Sequence, residues 1–279
     1  MRAVLFAILG IILVVQTATA GTLDKVRSDG VFRIGYRTDA QPFAYQSAIG
    51  EPEGYAVDLC REVAAATKQA LGLGEMKVEY VTVTAEDRFE AVKDGRVDIL
   101  CDPATVTLTR REIVDFSLFT FVDGASVLYR ADGPQGFEGL AGQKVGVHAD
   151  TTTEEKLKAA LAKIGVEAEI VPVPDHKMGL ERLANGEFAA YFADRAILAF
   201  LLFGSDQADK LKLSDQYFSQ EPYALAIARG DDDFRLLVDR TLAGLYRSEK
   251  IVTIFAKSFG KAMPSDILRV MYSINALEE

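Results

Sequence analysis

Apolar and polar positions alternate along the chain with two different periods. Short apolar runs that suit buried β-strands recur between longer segments whose apolar side chains return every three to four residues, as on one helix face. The runs predict strands at 31–36, 78–83, 97–101, 126–129, 144–147, 169–173, 188–192 and 223–228. The longer segments predict helices at 57–71, 87–93, 153–164, 176–184 and 194–203, and through most of the residues after 228. This alternation is typical of an α/β fold with largely parallel sheets.

One unit of this pattern occurs twice. A helix that ends at Gly95 leads into an apolar strand, and residues 180–192 repeat the arrangement around Gly186. Each strand ends in polar or irregular residues, and ligands of open α/β sheets bind beyond the carboxyl ends of the strands. The repeat predicts two similar lobes that face one cleft, although helix–glycine–strand units also occur in α/β proteins without such symmetry.

The first twenty residues have a pattern of their own. Met1-Arg2 is basic, residues 3–15 are apolar apart from a glycine, and Ala18 and Ala20 have the spacing of an A-x-A cleavage site. The apolar run is shorter than the roughly 20 residues of a membrane-spanning helix. We therefore predict a signal peptide at 1–20, cleaved after Ala20, with an uncleaved anchor as the alternative. No cysteine follows the run, which argues against a lipoprotein.

Composition narrows the possible functions. The chain is 49% hydrophobic and 26% charged, which allows a full core. Its net charge of −10 argues against nucleic acid as a partner, because phosphates would repel it. Cys60 and Cys101 could form one disulfide in an exported protein or remain two buried thiols. The two histidines and two cysteines are widely spaced and show no zinc-ligand motif.

Several polar residues follow predicted strands. Thr105 and Arg110 lie in a loop after the strand at 97–101, where a hydroxyl and a planar guanidinium could bind a carboxylate. The alternative is a solvated turn. Arg37 and Arg88 lie near other strand ends, where each could equally be a surface residue. His176 opens a helix, where a lone histidine is usually a capping or surface residue.

Two helix starts in the second half are further candidates. Thr151 to Glu154 fits a capping box, yet a helix N-terminus can also bind an anion. Asp194 could cap a helix or pair with a ligand ammonium.

We find no nucleophile elbow, phosphate-binding glycine loop, H-E-x-x-H or nucleotide fingerprint, and so expect no cofactor, no metal and no catalytic residue.

Across residues 21–260 the chain resembles the periplasmic solute-binding proteins, family 3, of polar amino-acid ABC transporters. The most specific matching segment is Thr107-Leu-Thr-Arg-Arg-Glu-Ile-Val-Asp-Phe-Ser117. The other matching segments are Thr22-Leu-Asp-Lys-Val-Arg-Ser-Asp-Gly30, Gly35-Tyr-Arg-Thr-Asp-Ala-Gln-Pro-Phe-Ala-Tyr45, Gly54-Tyr-Ala-Val-Asp-Leu59, Thr84-Ala-Glu-Asp-Arg-Phe89 and Gly95-Arg-Val-Asp98. The subgroup it resembles most is the glutamate/aspartate-binding type.

The resemblance implies a type II periplasmic-binding-protein fold. Two lobes, each a mixed, mainly parallel sheet flanked by helices, would be joined by two hinge strands and close around one ligand. Lobe 1 would comprise residues 21–126 and 224–279, and lobe 2 residues 127–223.

The resemblance also assigns the site. Arg110 and Thr105 would bind the ligand α-carboxylate with help from Thr151 and Thr152, and Asp194 would bind the α-ammonium. Arg37, Arg88 and His176 would face a side-chain carboxylate. Pro103 departs from the family, which often has a small Gly or Ser there, and it can offer a ligand only its carbonyl because it has no N–H. Asp102 and Asp150 also replace small residues, which bears on the ligand's identity.

The function expected from the resemblance is periplasmic binding of an acidic L-amino acid, without catalysis. The protein would be a monomer that delivers its ligand to a membrane ABC permease. Two alternatives use the same scaffold: a periplasmic dehydratase of prephenate-like or arogenate-like acids, and a ligand-sensing accessory protein. Fold alone does not separate these functions.

Overall fold

The alternation of strands and helices is present in the computed structural model, which describes residues 21–279; the predicted signal peptide lies outside these residues. The strands are β1 (Val31–Tyr36), β2 (Asp39–Ala40), β3 (Ala44–Gln46), β4 (Pro52–Glu53), β5 (Lys77–Thr82), β6 (Ile99–Leu100), β7 (Val114–Asp123), β8 (Ala125–Arg130), β9 (Lys144–His148), β10 (Glu169–Val173), β11 (Ala190–Asp194), β12 (Leu211–Leu213) and β13 (Glu221–Ala228).

The helices follow the same chain order. They are α1 (Thr22–Asp29), α2 (Tyr55–Ala70), α3 (Arg88–Lys93), α4 (Thr152–Ile164), α5 (His176–Ala184), α6 (Arg195–Phe203), α7 (Asp232–Arg247), α8 (Lys250–Phe259) and α9 (Asp266–Asn275). Within residues 21–279, no helix combines the length and the apolar character needed to cross a membrane.

Two five-stranded sheets of the same design form the two lobes. The first has the order β5-β1-β6-β13-β7 and the second β10-β9-β11-β8-β12. In each sheet the first three strands of this order run parallel to one another. The fourth strand is antiparallel to both of its neighbours, the third and the fifth. The two-lobed fold expected from the repeated helix–glycine–strand unit is therefore confirmed, and the sheets are mixed. The lobe boundaries given above remain predictions.

The repeated unit depends on its glycines. Gly95 follows α3 and Gly186 follows α5, and their φ angles are +68° and +80°. Only glycine adopts this left-handed conformation without strain, so each helix stops there and the chain turns into a buried strand. As a result, β6 and β11 both run towards the cleft, where their carboxyl ends bring the following loops together.

Some predicted elements differ from the structure. The strand predicted at 97–101 is reduced to β6, and the one predicted at 188–192 is shifted to β11, which extends to Asp194 because it pairs there with Ala125 of β8. Strand β7 was not predicted as a separate strand. Its ten residues mix buried and partly exposed side chains, and so lack the continuous apolar run of the other strands.

The chain crosses between the lobes at two adjacent places. It leaves the first sheet at Gly124, between β7 and β8, and returns just before β13. A Cβ atom on Gly124 would lie 2.2 Å from the carbonyl oxygen of Ser219, so the two crossing segments approach too closely for any other residue. Ser219 Oγ also accepts a 2.8 Å hydrogen bond from the Ala125 amide. These contacts make the two crossings a paired hinge.

One disulfide, between Cys60 of α2 and Cys101 just after β6, ties together two elements of the first lobe. Their Cα atoms are 6.2 Å apart and both side chains are fully buried. The question that the sequence left open is thus resolved in favour of a disulfide. Because Cys101 directly precedes Asp102 and Pro103, the bond anchors the start of the loop that contains Thr105 and Arg110.

Loss of this disulfide should destabilise the protein without changing its fold. In the chain-entropy picture, a crosslink across 41 residues is worth about 4 kcal/mol, so Cys60→Ala with Cys101→Ala should lower the free energy of unfolding by about that amount. Urea denaturation with and without reductant measures the effect. Reductant should lower the midpoint of the wild type and leave the double variant unchanged; an insensitive wild type would show that the cysteines are not bridged.

Candidate functional site

A pocket of about 340 Å³ lies between the lobes, at the strand ends that face each other. All nine residues that the sequence analysis assigned to a ligand site line this pocket. Four further residues line it that were not assigned: His148, Thr153, Phe192 and Ala193.

Arg110 is the pocket's guanidinium without a carboxylate partner. It donates a 2.8 Å hydrogen bond from Nη1 to the carbonyl oxygen of Thr105, and its guanidinium carbon lies 4.8 Å from the centre of the Phe89 ring. Within residues 21–279 it forms no ion pair. Burial lowers the pKa of Arg110 below its ordinary value, but arginine remains charged at physiological pH. The stacking and the carbonyl contact orient a cation that an anionic ligand can use.

Arg88 also packs on the ring of Phe89. Its guanidinium carbon is 4.9 Å from the Phe89 ring centre, and its Nε atom is 3.5 Å from Oδ2 of Asp102. Burial, with the nearby charges of Arg37 and Arg110, lowers the pKa of Arg88 to about 9. Asp102 is fully buried, and neither carboxylate oxygen has a hydrogen-bond partner among the described residues. Asp102 therefore acts as the internal counter-ion of Arg88.

Arg37 is held by the residue two positions further along. Its Nε and Nη2 atoms donate to the two carboxylate oxygens of Asp39 at 3.0 and 2.9 Å. Burial lowers the pKa of Arg37, but Asp102 and Asp39 more than offset this, and the net pKa is raised. Asp39 was not among the predicted site residues, yet it fixes how Arg37 faces the pocket.

The two histidines of the chain meet at the same end of the pocket. His148 ends β9 and His176 begins α5, and their ring centres are 5.0 Å apart. Asp39 Oδ2 lies 3.2 Å from Nε2 of His148 and so joins the two lobes. His176 is buried, and burial together with the charge of Arg37 holds its pKa well below the ordinary value, which keeps the ring neutral. Among the described residues, these three side chains are the group that could hold a metal ion.

Asp194 presents a carboxylate to the opposite side of the pocket. Thr153 Oγ1 donates to one oxygen at 2.8 Å and the Tyr223 hydroxyl to the other at 2.6 Å. The alternative that Asp194 caps α6 is wrong for its side chain, which makes no cap hydrogen bond. Burial and the charge of Glu221 raise its pKa to about 6, against the effect of the two hydroxyls. Thr151, by contrast, is a true cap: its hydroxyl accepts from the Glu154 amide at 3.2 Å.

Glu221 connects the two lobes and was missed by the sequence analysis. Its Oε2 atom accepts hydrogen bonds from Thr105 of the first lobe at 2.5 Å and from Thr152 of the second lobe at 2.6 Å. Ser219 in the hinge donates to Oε1 at 2.6 Å. Glu221 is 1% exposed and begins β13. A glutamate at the start of a strand resembles many surface residues, so only the fold could reveal this role.

The arrangement is suited to binding a small zwitterion rather than to transforming one. An unpaired guanidinium and a half-buried carboxylate line the same pocket, together with two further guanidinium groups. The side chains that touch both lobes are hydrogen-bonded to each other, so the cleft is closed in this structure. No activated nucleophile is present among the described lining residues.

Comparisons with known proteins agree with this geometry. The bacterial extracellular solute-binding proteins, family 3, match the chain over residues 32–261. An L-glutamate/L-aspartate-binding protein of Pseudomonas aeruginosa is 31% identical over 94% of this chain and 87% of its own length. A glutamate/aspartate import solute-binding protein of Salmonella typhimurium is 27% identical over 92% of this chain and 86% of its own length. These relatives are binding proteins, not enzymes.

A solved structure adds to these findings. An ancestral amino-acid-binding protein, described as a precursor of cyclohexadienyl dehydratase, is 27% identical to this chain with a TM-score of 0.73. The similarity covers 85% of this chain and 99% of that one. The relative is itself a binding protein, so the dehydratase alternative gains no direct support from it.

Removal of the Glu221 charge should loosen the closed cleft. Glu221→Gln keeps the shape but weakens three hydrogen bonds to a charged acceptor, which should lower the free energy of unfolding by about 1–3 kcal/mol. Urea denaturation measures the stability, and small-angle X-ray scattering measures the closure. The exposed Glu167→Gln is the matched control, and equal stability of the two variants would contradict the bridging role of Glu221.

Proposed function

The chain belongs to the bacterial extracellular solute-binding proteins of family 3, and from this membership we propose that it binds an acidic L-amino acid for uptake. The observation that carries the proposal is the unpaired Arg110, which lines the same pocket as the half-buried carboxylate of Asp194. An amino acid has the complementary pair of charges on one carbon atom. The glutamate/aspartate-binding relatives support the choice of an acidic side chain.

Arg110 would bind the ligand α-carboxylate. A guanidinium offers two parallel N–H groups, and Arg110 uses one nitrogen on Thr105 while its plane is fixed against Phe89. The hydroxyls of Thr105 and Thr152 would assist from either lobe. They donate to Glu221 in this structure, so we propose that they reorient or share their hydrogen bonds when the ligand enters. The hydroxyl of Thr151 is engaged in the α4 cap, and only its backbone would be available.

Asp194 would bind the α-ammonium. Its two oxygens each accept one hydroxyl hydrogen bond, which leaves further lone pairs directed towards the pocket. A carboxylate whose pKa is raised by loss of water gains more from a cationic ligand group than an exposed carboxylate does. The cation offsets the free-energy cost of removing the negative charge from water. Tyr223 belongs to β13 of the first sheet, so this anion also depends on closure.

The far end of the pocket would face the ligand side chain. Arg37 donates to Asp39 from Nε and Nη2, and Arg88 donates to the Ala85 carbonyl from Nη1, so each guanidinium keeps a terminal nitrogen for a side-chain carboxylate. His176 lies beside them. Pro103 borders the pocket and would contribute its carbonyl group or its ring.

The contacts are sufficient for tight binding. A micromolar dissociation constant corresponds to about −8 kcal/mol. Charge-assisted hydrogen bonds contribute roughly 1.5–3 kcal/mol each before the cost of ordering the partners. Two carboxylate sites and one ammonium site, each formed by more than one such hydrogen bond, would together supply this free energy. Ligand that bridges both lobes would stabilise the closed form by hinge motion.

We further propose the cellular setting from the family and the N-terminal pattern. The signal peptide would be cleaved after Ala20, and the mature protein would act as a periplasmic monomer with lobes at 21–126 plus 224–279 and at 127–223. Its closed form would dock on a membrane ABC permease. A role as a ligand sensor differs only in the partner protein, which the genes beside this one would distinguish.

A panel of the common L-amino acids should show selective binding of glutamate and aspartate. In thermal-shift assays these two should raise the unfolding temperature because only the ligand-bound closed form uses every charge in the pocket. Arg110→Ala should weaken the binding of any responding amino acid by about 100-fold or more, since a bidentate charged contact is lost.

Arg111→Ala is the matched control for this experiment, because Arg111 is the neighbouring residue and is exposed. It should bind ligand like the wild type. A response to other amino acids but not to glutamate or aspartate would refute the acidic ligand. Unimpaired binding by Arg110→Ala would refute the assignment of the α-carboxylate.

Ligand affinity should fall in mildly acidic solution. Only ionised Asp194 attracts an ammonium, and its raised pKa of about 6 means that it gains a proton as the pH falls through that value. Affinity should therefore be constant above this pH and decrease below it by up to roughly tenfold per pH unit. Calorimetric titration across this range tests the sign. Asp194→Asn should bind weakly at every pH, and a wild type that binds equally well at low pH would contradict the role.

A further inference from the structure

The side chains of Asp39, His148 and His176 converge in the cleft from both lobes. The chain has only two histidines, and the fold brings both to one point although they are far apart in sequence. One ligand atom of each of the three residues lies within 4.8 Å of the other two. Two imidazoles and one carboxylate are a common donor set for divalent transition-metal ions.

Each of the three side chains also contacts one group that does not belong to the cluster, which we call its outer partner. His148 Nδ1 is 2.8 Å from the carbonyl oxygen of Ala149, and His176 Nδ1 is 2.8 Å from the Tyr191 hydroxyl. Asp39 is held by the two donor nitrogens of Arg37. Metal-binding histidines are usually oriented in this way by a hydrogen bond on the ring nitrogen away from the ion, whereas Arg37 donates to the same Asp39 oxygen that faces His148.

The outer partners determine which nitrogen faces the cluster. A carbonyl oxygen can only accept, so Nδ1 of His148 has to carry the hydrogen. In the neutral ring Nε2 then presents a lone pair, and this atom lies 3.2 Å from Oδ2 of Asp39. A lone pair facing a carboxylate oxygen is repulsive unless a positive charge lies between them.

A metal ion between Nε2 of His148 and Oδ2 of Asp39 would supply this positive charge and would contact more of the cluster than a proton can. The 3.2 Å separation between His148 Nε2 and Asp39 Oδ2 is close to the distance between two ligands of a tetrahedral zinc ion with bonds of about 2.0–2.1 Å. A proton on Nε2 would satisfy His148 and Asp39 only, whereas an ion would also use the free nitrogen of the neighbouring His176.

We propose that Asp39, His148 and His176 bind a first-row divalent transition-metal ion, for which zinc is the probe, and that this ion links the two lobes. The fourth position would remain open towards the pocket. The positive charge of Arg37 beside Asp39 weakens the site relative to a structural zinc centre, so binding should be reversible. The proposal does not depend on which amino acid the protein binds.

The test uses the exported protein without a histidine tag, treated with a chelator and dialysed, in the absence of amino acids. Titration calorimetry should show binding of a single zinc ion per chain. Cobalt(II) should give the intense visible absorption of a tetrahedral site with nitrogen and oxygen ligands. Small-angle scattering should show that zinc makes the wild type more compact. A wild type that binds no zinc would overturn the proposal, because a protonated His148 would then account for the contact with Asp39.

Variants locate the ion. His148→Gln and His176→Gln should abolish zinc binding, and Asp39→Asn should weaken it and remove the compaction. Tyr191→Phe, which removes only the outer partner of His176, should reduce the affinity about 10–100-fold. The control Asp233→Asn alters an exposed acidic cluster and should bind zinc like the wild type.

Folding has to be separated from binding in these variants. Circular dichroism and thermal unfolding without metal show which variants retain the native fold, and Tyr191→Phe and Asp39→Asn carry the test if a histidine variant unfolds. Zinc affinity that is equal in the wild type and in all folded cluster variants would overturn the site. Loss of zinc binding in Asp233→Asn instead would place the ion on the surface and overturn it as well.

Discussion

Compensation of buried charge is the constraint on which the cleft depends. Burial of an unpaired ion costs several kcal/mol, and three guanidinium groups line one small pocket. Arg37 is neutralised by Asp39 and Arg88 by Asp102, while Arg110 stays available to a ligand. The resident carboxylates therefore decide which of the three positive charges a ligand can use fully. A site with these charges and no counter-ions would not remain closed.

The same polar groups couple the charge balance to the shape of the molecule. Glu221 accepts hydrogen bonds from hydroxyl groups of both lobes at the start of the returning hinge strand, and Asp194 of the second sheet accepts one from Tyr223 of the first sheet. Closure thus brings anions and their donors together across the cleft. Burial, together with the nearby charge of Asp194, raises the pKa of Asp123 to about 8, so this carboxyl group is largely neutral at physiological pH.

Asp102, the residue next to the disulfide, gives this cleft its individual character. The resemblance to the family implies a small residue where Asp102 stands, and here a buried carboxylate accompanies Arg88 instead. The carboxylate reduces the positive charge offered to a ligand side chain, as Asp39 does for Arg37, while the two histidines line the pocket from the second lobe. The selectivity of the pocket is therefore set by the balance between these groups and not by the number of arginines alone.

The sequence by itself determined the fold class, the two lobes and the membership of a binding-protein family. Alternating periods and helix-stopping glycines are local properties, so they are visible before the chain folds, and strand ends point to the residues that line a cleft. All nine assigned residues do line the pocket, although their binding roles remain proposals. Tertiary structure alone decided the partners: Asp39 for Arg37, Asp102 for Arg88, Glu221 for two threonines, and the disulfide. Apart from Asp39, which is two positions from Arg37, these pairs join residues distant in sequence whose contact depends on closure of the sheets and lobes, which no local pattern encodes.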